Sequence, residues 1–272
     1  MTSFRLLVVS LGIMAMNKAM AFVVNEVSSS SLSKSRLGIS TVEPVVQAKD
    51  TVIELLKSGQ DESSPILSPF LKILQESYVE SQIDARYSQN PDYNGDWENV
   101  NTPAFQGRLG LTSDGLPLYT IGRLTFNQIP SAKDVVCTVE KMIQHVHPCT
   151  EIPTQVPEPL QATLEKYPHQ LRSNHIDTLF HIPDSPIRGI LRMEGYTLPN
   201  EEEANKYDTW FLGGRCIPQE NVSLEEWAKV FDDKLEYSLS SPMVAYQTVI
   251  YLDETLRVSV GNRGTVMIVQ RE

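Results

Sequence analysis

The sequence predicts a mainly β protein: a small antiparallel β-barrel, closed or nearly so, with helices at its front and one helix before its last strands. Three observations carry that expectation. Roughly eight short segments rich in Val, Ile, Thr and Tyr are spread through the chain, and the clearest alternate apolar and polar residues with period two. Apolar stripes at helical spacing occur twice near the front and once near the end. The 272 residues are 41% hydrophobic and 21% charged, the balance of an ordinary globular chain with enough material for one good-sized domain. A barrel of that size can enclose one apolar ligand.

The chain opens on an address. Arg5 precedes an apolar run over residues 6–16, too short to span a bilayer and suited to the core of a signal peptide. Ala19-Met20-Ala21 satisfies the small-x-small rule and places cleavage before Phe22, so 1–21 reads as a signal peptide. The segment 22–45 is Ser-rich and, up to residue 40, basic except for Glu26, the composition of a transit peptide. Together they resemble the bipartite presequence of algae with secondary plastids, in which Phe after the cleavage site is the telling residue. The likeness implies a plastid location; secretion is the alternative. Without the first forty residues the charge is about −14, which argues against nucleic acid as a partner and against docking to anionic lipid through a basic patch. No apolar run is long enough for a transmembrane helix in the mature protein.

Residues 46–83 form a helical lead-in and 84–272 the barrel. Ala48, Val52, Leu55 and Leu56 share a helical face that Gly59 terminates. Ser68-Pro69 caps a second helix carrying Phe70, Ile73, Leu74 and Tyr78. Helices are therefore expected near 47–58 and 69–79, packed on the core. A polar loop over 81–94 leads to a strand at 97–100, ended by Asn101-Thr102-Pro103. A strand at 119–126 would place Tyr119, Ile121 and Arg123 on one face, with Leu124 and Phe126 on the other. Further strands are expected at 135–146, 176–182, 187–196 and 207–212, with bends or bulges at Gly189 and Gly195 and a turn at Gly213-Gly214. A short helix falls at 160–167. Ser223 and Glu226 make a capping box, and Val222 and Trp227 a hydrophobic staple, for a helix near 223–233 with Trp227, Val230 and Phe231 inward. The end is a strand at 244–251, a break at Asp253-Glu254, alternating Leu256, Val258 and Val260, a turn over 261–264, and a last strand at 265–271.

Motifs of common chemistry are missing: no P-loop, dinucleotide-binding glycine pattern, nucleophile elbow or His-Glu-x-x-His helix. His145 and His147 would share a strand face, with Cys149 beyond, but no carboxylate or third histidine stands at a ligand spacing, so no metal is expected. The three cysteines read as reduced thiols. Asp253 and Arg257 are placed for an ion pair at a barrel end that sets register.

Several runs resemble one family. Gly95-Asp96-Trp97, Gly122-Arg123 with Phe126, Phe211 with Gly213-Gly214, and above all Tyr251-Leu252-Asp253-Glu254 with Arg257-Val258, Gly261 and Gly264 are similar to the motifs of the plastid lipid-associated proteins, or plastid fibrillins. The likeness covers residues 50–271; the middle matches poorly, and Val260 stands where many members carry a polar or basic residue. It implies a lipocalin-like barrel capped by its N-terminal helices, and binding of lipid or isoprenoid at thylakoids or plastoglobules. The function expected is a non-enzymatic carrier or scaffold for carotenoids, prenylquinones or galactolipids, with peripheral contact to a membrane or lipid droplet and no cofactor beyond such a ligand. Alternation and aromatic content nominate Trp97, Tyr119, Ile121, Phe126, Trp210, Tyr246, Val258 and Ile268 as barrel lining. Two alternatives stand beside it: an enzyme or enzyme subunit acting on a pigment or prenylquinone through Asp253 and His145 in the barrel mouth, and a structural droplet coat whose barrel is filled.

Overall fold

The structure is a computed structural model describing residues 42–62, 64–81, 93–100, 107–232 and 235–272. The signal peptide, the transit segment up to residue 41, most of the 81–94 loop and Asn101-Thr102-Pro103 lie outside the described residues. Helices α1 (Val42–Lys57) and α2 (Ser68–Ser81) come first. Ala48, Val52 and Leu56, four residues apart, and Leu74 and Tyr78 of α2 are all buried, as their helical spacing requires. The two helices pack on one another and over β8 and the last hairpin, beside Leu256, Val258 and Ile268.

Among the described residues ten strands follow: β1 (Gly95–Asn99), β2 (Gly110–Leu111), β3 (Pro117–Thr120), β4 (Val136–Pro148), β5 (Arg172–His181), β6 (Arg188–Pro199), β7 (Lys206–Pro218), β8 (Glu236–Leu252), β9 (Leu256–Gly261) and β10 (Val266–Arg271). Eight of them close an antiparallel barrel in the order β1-β10-β9-β8-β7-β6-β5-β4, and β1 pairs back onto β4 to shut it. The β2–β3 hairpin extends the sheet beside the start of β4. Closure leaves no free edge in the ring itself.

Helix α4 (Glu158–Lys166) lies where the sequence places it and packs Leu160 and Leu164 against Leu198 and Trp210. Helix α5 (Leu224–Phe231) starts at Ser223, whose Oγ accepts from the Glu226 N–H at 3.2 Å and donates to the Glu226 carboxylate at 3.0 Å. Trp227 stacks on Phe231 at 4.2 Å and both meet Phe180. With Cys137, Leu191, Cys216 and Tyr237 they fill the barrel end where β4 begins and β5 and β7 finish.

Three sequence expectations change. The strand at 119–126 stops at Thr120, and Ile121–Leu124 form a helical turn, α3. Thr120 Oγ1 accepts from the Arg123 N–H at 3.1 Å and Thr125 Oγ1 donates to the Ile121 carbonyl at 2.9 Å. Such local bonds compete with the sheet ladder, and Phe126 and Asn127, both at positive φ, then turn the chain. Gly213-Gly214 are not a turn but run inside β7, beside a bulge. A Cβ on Gly214 would come within 2.6 Å of the Tyr237 ring, so this pair serves close approach of β8. Finally, β8 begins at Glu236, eight residues before the expected start. Its first half alternates less cleanly because Tyr237 turns inward while several neighbours are exposed.

Candidate functional site

The inner face of the barrel is identified by contacts that jump over strands. Tyr93, just before β1, stacks on Tyr207 of β7 with ring centroids 3.8 Å apart and accepts from the Gln247 amide of β8. Arg257 of β9 donates to the side-chain amide oxygen of Gln144 on β4, across β10 and β1. Alternation then extends the face along each strand: Trp97 on β1, Asn174 on β5, Thr197 on β6, Thr209 on β7, Gln247 and Val249 on β8, and Ser259 on β9. All of these are buried. The interior at this level is therefore polar, with an aromatic wall.

Arg257 is its centre. The side chain is wholly buried, and its guanidinium lies 4.9 Å from the Trp97 ring and 5.2 Å from the Tyr93 ring. Among the described residues no carboxylate pairs with it. Burial pushes its pKa down to about 10. Two ring faces and one amide oxygen leave the N–H groups on Nε and Nη1 without an acceptor among the described residues. Ser259, two residues along on the same face, also has a buried Oγ with no partner among the described residues. Buried donors in native proteins almost always have partners, and an unpaired buried charge costs several kcal/mol. These donors are hydrogen-bonding capacity of the barrel interior that the described residues leave unanswered, and they suit an acceptor oxygen.

Asp253 and Arg257 do not meet. Asp253 ties the β8–β9 turn, accepting from Lys49 Nζ and the Tyr251 hydroxyl at 2.8 Å and from the Thr255 and Leu256 N–H groups at 2.7 Å. Burial alone would raise its pKa, but Lys49, Tyr251 and the two N–H groups bring it down to about 2. The expected ion pair fails because Arg257 turns into the barrel while Asp253 stays in the turn.

The nominated lining residues separate. Trp97 faces the interior. Tyr119 and Ile121 are buried near the α5 end, Tyr119 opposite Cys137 and Ile121 in the cluster with Trp227. Phe126 is half-buried in its left-handed turn. Trp210 faces outward under α4, its Nε1 donating to the Gln155 carbonyl at 3.2 Å. Tyr246 is on the outer surface, 39% exposed, with Lys206 Nζ 4.4 Å from its ring centre. Val258 and Ile268 are cross-strand partners on the outer face that α1 and α2 cover. The physical reason is one of sides: the helices bury the outer apolar stripe of β9 and β10, so apolar alternation there marks the outside. Tyr93, Gln144, Asn174, Gln247 and Ser259 were missed. The readable signal was the polar alternation of Arg257 and Ser259 between apolar Leu256, Val258 and Val260.

On the outer face a polar ladder crosses four strands: Asp96 opposite His145, His145 opposite His175, His175 opposite Glu194. His145 and His147 share a face as expected, and Pro148 merely ends β4. The missing carboxylate comes from β1: Asp96 Oδ1 lies 2.7 Å from His145 Nδ1 and 2.8 Å from His147 Nε2. Cys137 and Cys216 are buried, Cys149 partly so, and all three are free thiols.

Compared with known proteins, the chain matches no family model, no curated protein and no solved structure.

Proposed function

We propose that the chain is a non-enzymatic carrier or scaffold of the plastid that holds one apolar molecule with an oxygen-bearing head in its barrel. The observation that carries this reading is the pair of unanswered donors on Arg257, with Ser259 beside it. A pure hydrocarbon would leave them unsatisfied. A quinone carbonyl, a xanthophyll oxygen or a galactolipid head would accept from them and offset the cost of the buried charge. The motif resemblance and the leader supply the location, at thylakoids or plastoglobules.

The droplet-coat reading has one observation in its favour. The stacked Tyr93 and Tyr207 rings, with Trp97, occupy the interior around Arg257, as in a filled barrel. The enzyme reading has less: Asp253 has its carboxylate oxygens engaged in the β8–β9 turn, and His145 lies on the outer face, away from the barrel mouth. Mass spectrometry of the organic extract of the protein purified from its native cell tests the choice. One dominant oxygenated isoprenoid or lipid at near-stoichiometric amount is expected. A clean extract, together with binding to liposomes, would replace the carrier with the coat.

A further inference from the structure

The Asp96, His145 and His147 cluster lies on the outer surface and is independent of any ligand in the barrel. Its position is set by register. Asp96 on β1 sits directly opposite His145 on β4, and His147, two residues further along β4, projects from the same side. Each of the three residues offers one ligand atom, all within 4.8 Å of one another, with Asp96 Oδ1 2.7 Å from His145 Nδ1 and 2.8 Å from His147 Nε2. Asp96 and His147 are half-exposed, at 42% and 50%, so the open side faces solvent. His145 is the more enclosed ring. Its Nε2 lies 3.3 Å from Asp177 Oδ2, off the line of a good hydrogen bond and otherwise without a partner among the described residues. Asp177 is itself held by Arg192 through bonds of 2.7 and 2.6 Å. A fixed carboxylate behind a histidine, on the side away from the shared centre, is the arrangement that orients metal-binding imidazoles.

The donor set decides the ion class. Two imidazole nitrogens and one carboxylate oxygen suit zinc and the neighbouring late first-row divalent cations. Calcium and magnesium prefer sites built from oxygen alone. Bonds of about 2.0–2.1 Å in a tetrahedral shell hold ligand atoms about 3.4 Å apart. Asp96 and His147 must each give way by roughly half an ångström from their present hydrogen bonds to admit an ion, and both are exposed enough to do so. Three protein ligands leave a further position for water.

We infer that Asp96, His145 and His147 bind one divalent transition-metal cation of the zinc class, and that the ion fastens β1 to β4 at the seam where the barrel closes. The seam is where such a clamp acts most: β1 has only five residues and joins the ring through β4 on one side and β10 on the other.

The test is calorimetric titration of the full chain, stripped of metal by chelation, with zinc chloride, followed by the visible spectrum with cobalt. One equivalent per chain is expected, with cobalt giving the d–d absorption of a low-symmetry site and zinc raising Tm. His147→Gln and Asp96→Asn each weaken binding about tenfold or more and abolish the zinc-dependent rise in Tm, whereas His169→Gln, outside the cluster, leaves both unchanged. His147 is exposed, so its variant keeps the metal-free Tm. No heat and no cobalt spectrum with the unaltered chain would overturn the site, as would equal affinity in the His147 and Asp96 variants.

Discussion

A single side chain holds the most information here. Arg257 is buried with no carboxylate partner among the described residues, and an uncompensated buried charge costs several kcal/mol that an apolar residue of similar volume avoids. Arg257→Met is therefore expected to hold or raise the Tm of ligand-free protein while lowering the extracted ligand at least about tenfold. A sharp fall in Tm with ligand retained would make Arg257 a structural strut between Gln144 and the Trp97 and Tyr93 rings. Glu62, in the α1–α2 connection, is a second buried group: burial pushes its carboxyl up to about 8. Its ordinary value is 4.5, so the native state keeps the proton between the two values and the unfolded chain does not. Stability then falls as pH rises from about 4.5 to about 8, by a few kcal/mol, and is level above. Glu62→Gln flattens that slope, which urea midpoints at about pH 5 and about pH 9 will read.

At the scale of elements, what was legible followed local chemistry. The Ser223–Glu226 box, the Val222–Trp227 staple and the Gly264 turn are each written in adjacent residues, and α5 and the β9–β10 hairpin appear where those signals stand. Ser223→Ala is expected to cost about 1 kcal/mol through loss of the cap, seen as a lower urea midpoint at unchanged slope. Elements set by distant neighbours were not legible. Gly213-Gly214 looks like a turn in sequence, and only β8 crossing over it with Tyr237 explains why no side chain is tolerated. Gly214→Val should therefore destabilise by about 3 kcal/mol or more, far beyond the cost of the lost cap. Thermal unfolding of the two variants side by side checks that order.

For the whole molecule, closure is the governing fact. β1 pairs with β10, Trp97 opposite Arg271, as well as with β4, so the ring is complete only after nearly the full domain is available. Such non-local pairing predicts slow refolding, on the order of milliseconds to seconds or longer. A chain ending at Gly261, lacking β10, should expose two strand edges and elute from size exclusion as aggregate rather than monomer. The candidate site was half legible for the same reason. Sequence marks His145 and His147 as facing one way, because alternation is a property of one strand. Asp96 is 49 positions before His145, and only the β1–β4 register brings it there. The sequence by itself determined the alternation of the clearest strands, the Ser223 cap, the Gly264 turn and the mainly β barrel class, since each depends on residues within one turn or one pleat. The tertiary structure alone decided which face of each strand is inside. Two amphipathic helices lie over β8–β10, so the apolar stripe of Val258 and Ile268 is buried outward and the polar stripe of Arg257 and Ser259 is turned into the barrel.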